Sequence, residues 1–169
     1  MNDRIFLKFS GDKLDQLRIR IHDCVDRLSE DQIWLRHSEN ENSVGNLVLH
    51  LSGNVRQWIG HGIAGQPDQR DRDSEFAARQ GLGKAALLQK LDEVINAAVV
   101  TIRSLPASRL EERHTIQKYD VTILEAIYHV VEHFSEHTGQ IIFATKLLTG
   151  HDLGYYKHLS APRHQETTP

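Results

Sequence analysis

The sequence predicts an all-α protein, a four-helix bundle with a long crossover between helices 2 and 3. Apolar residues recur at three- and four-residue steps in four long segments, and the strict alternation typical of strands is almost absent. About twenty residues rich in glycine and charge separate the second segment from the third. With 169 residues, 39% of them hydrophobic, the chain is long enough to bury one core without a disulfide. We therefore predict one domain over residues 1–159 and a flexible tail over residues 160–169.

The first two predicted helices are amphipathic and are joined by a polar connector. The first runs from about Ile5 to Leu28, and the second from about Val44 to His61. Either Asn42 or Ser43 is expected to cap the second helix, because both side chains accept hydrogen bonds from free backbone N–H groups. Trp34 lies in the connector and is expected to pack back on the bundle.

The crossover extends from Gly60 to Gly83, and part of it, around Ser74 to Gln80, is expected to form a short helix. A connection of this length is unusual in a compact domain and is often functional. It contains the mixed-charge run Arg70-Asp71-Arg72-Asp73. We expect this run to be solvated surface on which the charges pair with one another.

The third helix is predicted from about Lys84 to Ser104, because the residue before Pro106 avoids the helical region. The connector that follows is polar and is expected to hold a small ribbon at Thr115–Gln117. The fourth helix, from about Val121 to Leu148, is the longest. Gly150 is the residue expected to end it.

Composition excludes several classes of protein. A net charge of -3 gives no overall attraction to nucleic acid. Cys24 is the single cysteine, which excludes an intrachain disulfide or a cysteine zinc site and fits a reducing compartment. No apolar segment follows Met1, so neither a signal peptide nor a membrane span is expected. We expect a cytoplasmic protein that binds neither nucleic acid nor membranes.

The 11 histidines give the main functional signal, through their positions on the predicted helices. His129, His133 and His137 follow one another at four-residue steps on the fourth helix and form one stripe beside its apolar face. The second helix has an equivalent polar stripe, formed by Asn46, His50, Asn54, Gln57 and His61. Because both helices must face one core, the two stripes are expected to converge.

Converging histidines are suited to a divalent metal. Two histidines one turn apart present nitrogens to one point, and a third from a facing helix completes a three-ligand set. Three protein ligands leave open positions, as in catalytic sites. Histidine ligation without cysteine fits zinc, nickel or iron. The other interpretation is a solvated histidine face, or core-edge histidines bonded to their neighbours.

Residues 133–137 also spell His-x-x-Glu-His, the inverted zinc-protease signature, in which Glu136 would be the general base. A protease of this type needs a further carboxylate ligand well downstream, and the chain beyond His137 offers only Asp152 and Glu166. This shortage disfavours a protease. Glu136 lies about 60° from His133 around the helix, so it is still a candidate acid–base group beside a metal.

Two sequence motifs lie on the predicted second and fourth helices. One is Ser43–Leu51 followed by Gly53-Asn54, and the other is His133-x-x-x-His137-x-Gly139-Gln140. Together they resemble the motifs of the DinB/YfiT-like superfamily of metal-binding four-helix proteins. The resemblance extends over nearly the whole chain. Within that superfamily, the chain is similar to an uncharacterised bacterial branch.

The resemblance implies a metal site formed by His50, His133 and His137, with His129 as a neighbouring pocket residue. It also implies a bundle that is frequently a homodimer and that binds zinc, nickel or a related ion. Characterised members of the superfamily include thiol-dependent S-transferases and a thiol-dependent maleylpyruvate isomerase, and many members have no known activity.

We therefore expect a divalent-metal-dependent S-transferase that uses a low-molecular-weight thiol and acts on a small electrophilic substrate. His129 and Glu136 are the expected catalytic groups, and Asn54 and Gln57 are expected to bind the cofactor by hydrogen bonds. The crossover is expected to shape or cover the pocket. Two alternatives are open: a non-catalytic, stress-associated metal-binding dimer, and metal-assisted hydrolysis with Glu136 as the base.

Overall fold

The computed structural model describes residues 2–160 and residue 168, so most of the predicted tail, residues 161–167 and 169, lies outside the described residues. The described part of the chain is mostly helical, which confirms the predicted class. Its α-helices are α1 (Asn2–Arg27), α2 (Glu30–Trp34), α3 (Val44–Val55), α4 (Arg72–Ala77), α5 (Lys84–Ser104) and α6 (Ile123–Thr149). Two short strands, β1 (Arg113–Ile116) and β2 (Tyr119–Thr122), pair as an antiparallel hairpin. Within the described residues, no helix has the length and apolar character needed to cross a membrane.

The four long helices enclose the core. Helix α1 packs against α5 and α6, and α3 packs against the same two helices. The contacts are made by side chains at helical spacing, of which Ile21, Leu51, Leu91 and Phe134 are fully buried. Burying each such side chain contributes about 1.5–3 kcal/mol. Helices α3 and α6 are therefore held side by side, with the histidine stripes at their contact.

The second predicted helix is divided into two parts. Ser43 caps α3 by accepting a hydrogen bond from the Asn46 backbone N–H, and the Asn46 side chain accepts from the Ser43 backbone. After Val55 the helix continues as a wider π-helical segment, Arg56–His61, in which Gly62 N–H donates to Gln57 O at 3.0 Å. Such widened turns are often found at functional sites.

The hairpin overlaps the small ribbon predicted at Thr115–Gln117, but it begins two residues earlier, at Arg113, and has Gln117 in its turn. It packs on the π-helical segment. Its two-residue turn places Gln117 at φ 49° and Lys118 at φ 69°. A Cβ atom on Gly62 would lie 2.3 Å from Ile116 Cδ1, so the absence of a side chain at Gly62 lets the hairpin approach. Thr122 then caps α6 through a reciprocal pair of hydrogen bonds with Glu125.

Sequence reasoning missed helix α2. Ser29 and Gln32 form a capping box at its start, whereas these polar residues indicated only the end of the first helix. Trp34 packs back on the core as expected: a Cβ atom on Gly45 would lie 2.7 Å from its ring, and its indole N–H donates to Leu82 O. The short helix expected at Ser74–Gln80 begins earlier, because Asp71 caps α4 at Ser74 N–H.

Candidate metal centre

Three histidine side chains meet at the contact between α3 and α6. One ring nitrogen each from His50, His133 and His137 lie within 4.8 Å of one another. Nε2 of His50 is 2.9 Å from Nε2 of His133, and the rings of His133 and His137 are 4.4 Å apart. His50 is buried, whereas His133 and His137 are half-buried, so the group is reached from the α6 side.

Glu75, on helix α4 of the crossover, holds the imidazole of His50. Its Oε2 lies 3.1 Å from His50 Nδ1. Burial alone would raise the pKa of Glu75, but the hydrogen bonds with His50 and Arg70 outweigh it and keep this pKa below its usual value. Arg70 Nη2 lies at the same distance, 3.1 Å, from His50 Nδ1. Because an ionised carboxylate only accepts, the hydrogen bond to Glu75 requires the proton on Nδ1 of His50 and leaves a lone pair on Nε2. This carboxylate–histidine pairing is typical of metal sites.

Arg70 holds Glu75 in turn. Its guanidinium donates to both carboxylate oxygens of Glu75 at 2.9 Å, and its Nη1 donates to Gln57 Oε1 at 3.0 Å. The Arg70 side chain is only 3% exposed. The expectation that the run Arg70–Asp73 is self-paired surface is therefore wrong for Arg70, because its charge is neutralised inside the fold by Glu75.

The crossover is fixed to α3 at two places. The Asn46 side chain donates to the backbone oxygens of Glu75 at 2.9 Å and Ala78 at 2.8 Å. A Cβ atom on Gly53 would lie 1.8 Å from Glu75 Oε1, so glycine at this position makes room for the carboxylate. A cavity of about 520 Å³ lies between α3, the crossover and α5, and Glu75 is one of the residues that line it.

Burial favours the neutral form of three of the histidines, His50, His129 and His133. Burial, and then the proximity of His137 and His50, lowers the pKa of His133 to about 3. Burial also lowers the pKa of His50 and of His129. Nδ1 of His137 lies 2.8 Å from Gln140 Oε1, so its Nδ1–H donates there and Nε2 is left as a ligand atom. Neutral imidazoles with a fixed tautomer are what a divalent cation requires.

The remaining candidates take different positions. His129 stacks on His133 with ring centres 5.4 Å apart and contacts the Trp58 ring at 4.2 Å. Asn54 is buried and its Oδ1 has no hydrogen-bond partner within the described part of the chain. Gln57 bonds to Arg70 and Asp68.

Glu136 is not brought into the group. Its side chain is exposed, and no hydrogen bond or ion pair joins it to another described residue. The carboxylate in contact with His50 is that of Glu75, which sequence reasoning missed. A glutamate in a segment rich in charge gives no signal of burial. The one related feature of the sequence is the glycine at position 53, on the same face as His50, which is compatible with a close approach of another segment to α3.

Comparison with known proteins defines the family and the fold. The model of a family described as "Protein of unknown function (DUF1572)" matches residues 2–165. A conserved protein from Enterococcus faecalis, known from a crystal structure, is 15% identical in sequence and has a TM-score of 0.70, with 84% of this chain and 96% of that chain covered. At this identity the likeness concerns the fold alone. No curated protein matches the chain. Because the match extends over residues 2–165, the chain belongs to the DUF1572 family.

Proposed function

We propose that this chain is a divalent-metal protein of the DinB/YfiT-like type, and that it transfers a thiol to small electrophiles. In this proposal α1, α3, α5 and α6 are the four helices of the bundle. The observation that supports it most directly is the group of three ring nitrogens, from His50, His133 and His137, within 4.8 Å of one another.

The donor set fits a borderline divalent ion such as zinc, nickel or iron. Three imidazoles supply nitrogen ligands without a negative charge, and His50 and His137 each use Nδ1 for a hydrogen bond, so that Nε2 is the atom directed to the metal in this proposal. Glu75 bonds to His50 rather than entering the ligand group, which is the arrangement expected for an orienting carboxylate. Three ligands leave room for an exogenous group.

A divalent cation bound by these histidines would favour the thiolate form of a thiol that joins them. The residues of the chain then have separable tasks. Glu75 keeps His50 in one orientation, and Arg70 keeps Glu75 ionised. His129 is neutral, since burial lowers its pKa, and its free ring nitrogen can accept the proton that the thiol releases. The sulfur then bonds to the electrophilic carbon as the leaving group departs with the electron pair.

Packing around the centre excludes water from one side. The Phe76 ring lies 4.6 Å from the His50 ring, and the Trp58 ring covers His129. Phe76 is carried by α4, so the crossover supplies this cover as well as Glu75. Excluding water strengthens the interactions of the charges that remain in the site.

Two measurements test the proposal. Protein purified without chelator is expected to contain about one metal ion per chain by elemental analysis, and to conjugate a small thiol to chlorodinitrobenzene. A double variant, His50→Ala with His133→Ala, is expected to lose the metal and the metal-dependent rate. His151→Ala is the matched control, because His151 is exposed and lies in the segment after α6.

The outcomes separate the alternatives. Equal conjugation rates for the wild type and the double variant would contradict the metal-thiolate reaction. Stoichiometric metal without any conjugation would favour the non-catalytic metal-binding role. Hydrolysis with Glu136 as base has weaker support, because Glu136 is exposed and the carboxylate in contact with His50 is that of Glu75.

A further inference from the structure

The cavity between α3, its π-helical extension, the crossover and α5 is separate from the three-histidine group. Its volume is about 520 Å³. Pockets that bind small molecules typically measure about 300–1,000 Å³, so this space is large enough for a ligand. None of the three histidines lines it, although Glu75 both lines the cavity and bonds to His50. The cavity therefore offers a second place for a small molecule, next to the candidate metal centre.

The wall that the long helices give to this cavity is apolar. Two of its side chains, Leu49 and Val94, are only half-buried, so part of their apolar surface is left open to solvent. Covering such surface with the apolar atoms of a ligand is favourable, because water is released from it. The wall consists of side chains that are short or branched: Leu49, Val55, Ile59, Val94, Ala97 and Ala98. It favours a ligand with an apolar body.

Two cations line the same cavity without a carboxylate partner. Lys90, on α5, forms no hydrogen bond or ion pair with another described residue. The guanidinium of Arg56 makes one hydrogen bond within the described part of the chain, from Nη2 to Gln69 O at 3.3 Å. An ammonium group has three N–H donors and a guanidinium has five, so most of these donors are not used by the protein. Both residues are exposed, and their charged ends can therefore turn to a ligand in the cavity.

The three carboxylates that line the cavity, in contrast, already accept hydrogen bonds from the protein. Glu75 accepts from the Arg70 guanidinium through both of its oxygens. Asp71 caps α4 with its Oδ1, and Glu93 accepts from the side chain one turn before it at 2.9 Å. The hydrogen-bonding groups left unused are thus mainly donors of positive charge. An anionic group on the ligand would meet two cations that have no carboxylate partner, and hydrogen bonds between such charged groups are the strong ones.

We propose that this cavity binds a small carboxylic acid in its ionised form. The apolar body of the acid lies on the wall formed by α3 and α5, and its carboxylate is bound by Lys90 and Arg56. The site does not depend on a metal or on the proposed thiol transfer, because no histidine of the candidate metal centre lines it. A protein that binds the acid but holds no metal would keep this site and would contradict only the metal proposal.

The first test compares three ligands that share one carbon skeleton and differ in one group. They are 3-phenylpropanoate, 3-phenylpropan-1-ol and 3-phenylpropylamine, and isothermal titration calorimetry measures their binding. The acid is expected to bind with a Kd of about 1 mM or tighter, and about 10-fold more tightly than the alcohol. The amine is expected to bind most weakly. An alcohol or amine that binds as tightly as the acid would overturn the proposal, and so would the absence of saturable binding of the acid.

Matched variants assign the preference for the acid to the two cations. Lys90→Gln and Arg56→Gln each remove a charge from the cavity and keep a polar side chain. Each is expected to weaken binding of the acid about 3- to 10-fold, because the groups are exposed, and to leave binding of the alcohol unchanged. Unchanged binding of the alcohol also demonstrates that the variant folds. Lys146→Gln is the control, since Lys146 is exposed on α6, a helix that does not line the cavity.

Two outcomes for these variants would contradict the assignment. An equal loss of affinity in Lys146→Gln would mean that the overall charge of the protein attracts the acid. A preference for the acid that survives in the double variant of Lys90 and Arg56 would mean that its carboxylate is bound elsewhere.

A further measurement locates the bound ligand. Nuclear Overhauser effects between the phenyl protons of 3-phenylpropanoate and the methyl groups of the protein are recorded by NMR. Contacts with Val55, Ile59 and Val94 are expected, because their side chains belong to the apolar wall. Binding of the acid with contacts to other methyl groups and none to these three would place it on another surface and overturn the proposal.

Discussion

Glu75 connects the candidate metal ligand His50 to Arg70 of the crossover through its two carboxylate oxygens. Its Oε2 bonds to His50 Nδ1, and both of its oxygens bond to Arg70. The strength of this arrangement comes from burial, because a charge-assisted hydrogen bond is little weakened by solvent there. The orientation of His50 is therefore set by a residue that lies 25 positions away and outside the long helices.

A charge-removing substitution tests the orienting role of Glu75. Glu75→Gln is expected to weaken Zn²⁺ or Ni²⁺ binding about 10- to 100-fold, because His50 loses the acceptor that fixes its tautomer. Competition with a chromogenic chelator measures this affinity. Glu136→Gln is the matched control, since it removes an exposed carboxylate from α6, between His133 and His137 in the sequence. Equal losses in the two variants would mean that the overall charge, rather than the hydrogen bond, determines the affinity.

At the scale of the elements, the crossover is where sequence reasoning was least informative. The bounds of α5 were predicted as Lys84–Ser104 and were confirmed, because its apolar spacing is regular and Pro106 limits it. The chain segment from Arg70 to Glu75 gave no comparable signal, since a charged residue in a polar segment has the same sequence pattern whether it is solvated or buried. The convergence of His50 with His133 followed from helical spacing, whereas the contact of Glu75 with His50 depends on how the crossover folds back.

Two glycines that look alike in sequence differ in what surrounds them. Gly53→Ala is expected to displace Glu75 and to destabilise the protein by about 1–3 kcal/mol, because its Cβ would lie 1.8 Å from Glu75 Oε1. In Gly139→Ala, on α6, the new Cβ would have no atom within 4 Å outside its own helix backbone and chain neighbours. This substitution is therefore expected to stabilise the helix by about 0.5–1 kcal/mol. Urea denaturation of both variants measures these changes. Destabilisation of the same size in both would show that Gly53 has no special role in making room for Glu75.

For the whole molecule, an ion pair between the first and third long helices makes stability depend on pH. Asp92 on α5 accepts from Arg18 and contacts His22, both on α1, at 2.8 Å. Burial opposes ionisation of Asp92, but the hydrogen bonds with Arg18 and His22 outweigh it and hold its pKa below the usual value. Because the folded pKa is the lower one, this stabilisation is present above the unfolded pKa of about 3.9 and is lost as the pH falls through the folded value.

The pH dependence distinguishes this pair from ordinary packing. Asp92→Asn is expected to cost about 1 kcal/mol at pH 7, since the pair is partly exposed, and progressively less below about pH 4. The free energy of unfolding of both proteins, measured from pH 7 to pH 3, checks this. A difference that stays constant over this range would mean that the carboxylate charge of Asp92 contributes nothing.

The bonds between α4 and α3 control how often the backbone amide protons of α4 exchange with solvent. Glu75 bonds to His50, and Asn46 holds the backbone of Glu75 and Ala78, so α4 separates from α3 only when these bonds break. An ion held by the three histidines would make that opening rarer, although the crossover supplies no ligand. Backbone protons of α4 are therefore expected to exchange more slowly when Ni²⁺ is added, and to lose this protection in Glu75→Gln. Exchange in the crossover thereby reports occupancy of a site to which the crossover contributes a hydrogen bond and the Phe76 ring but none of the three histidines.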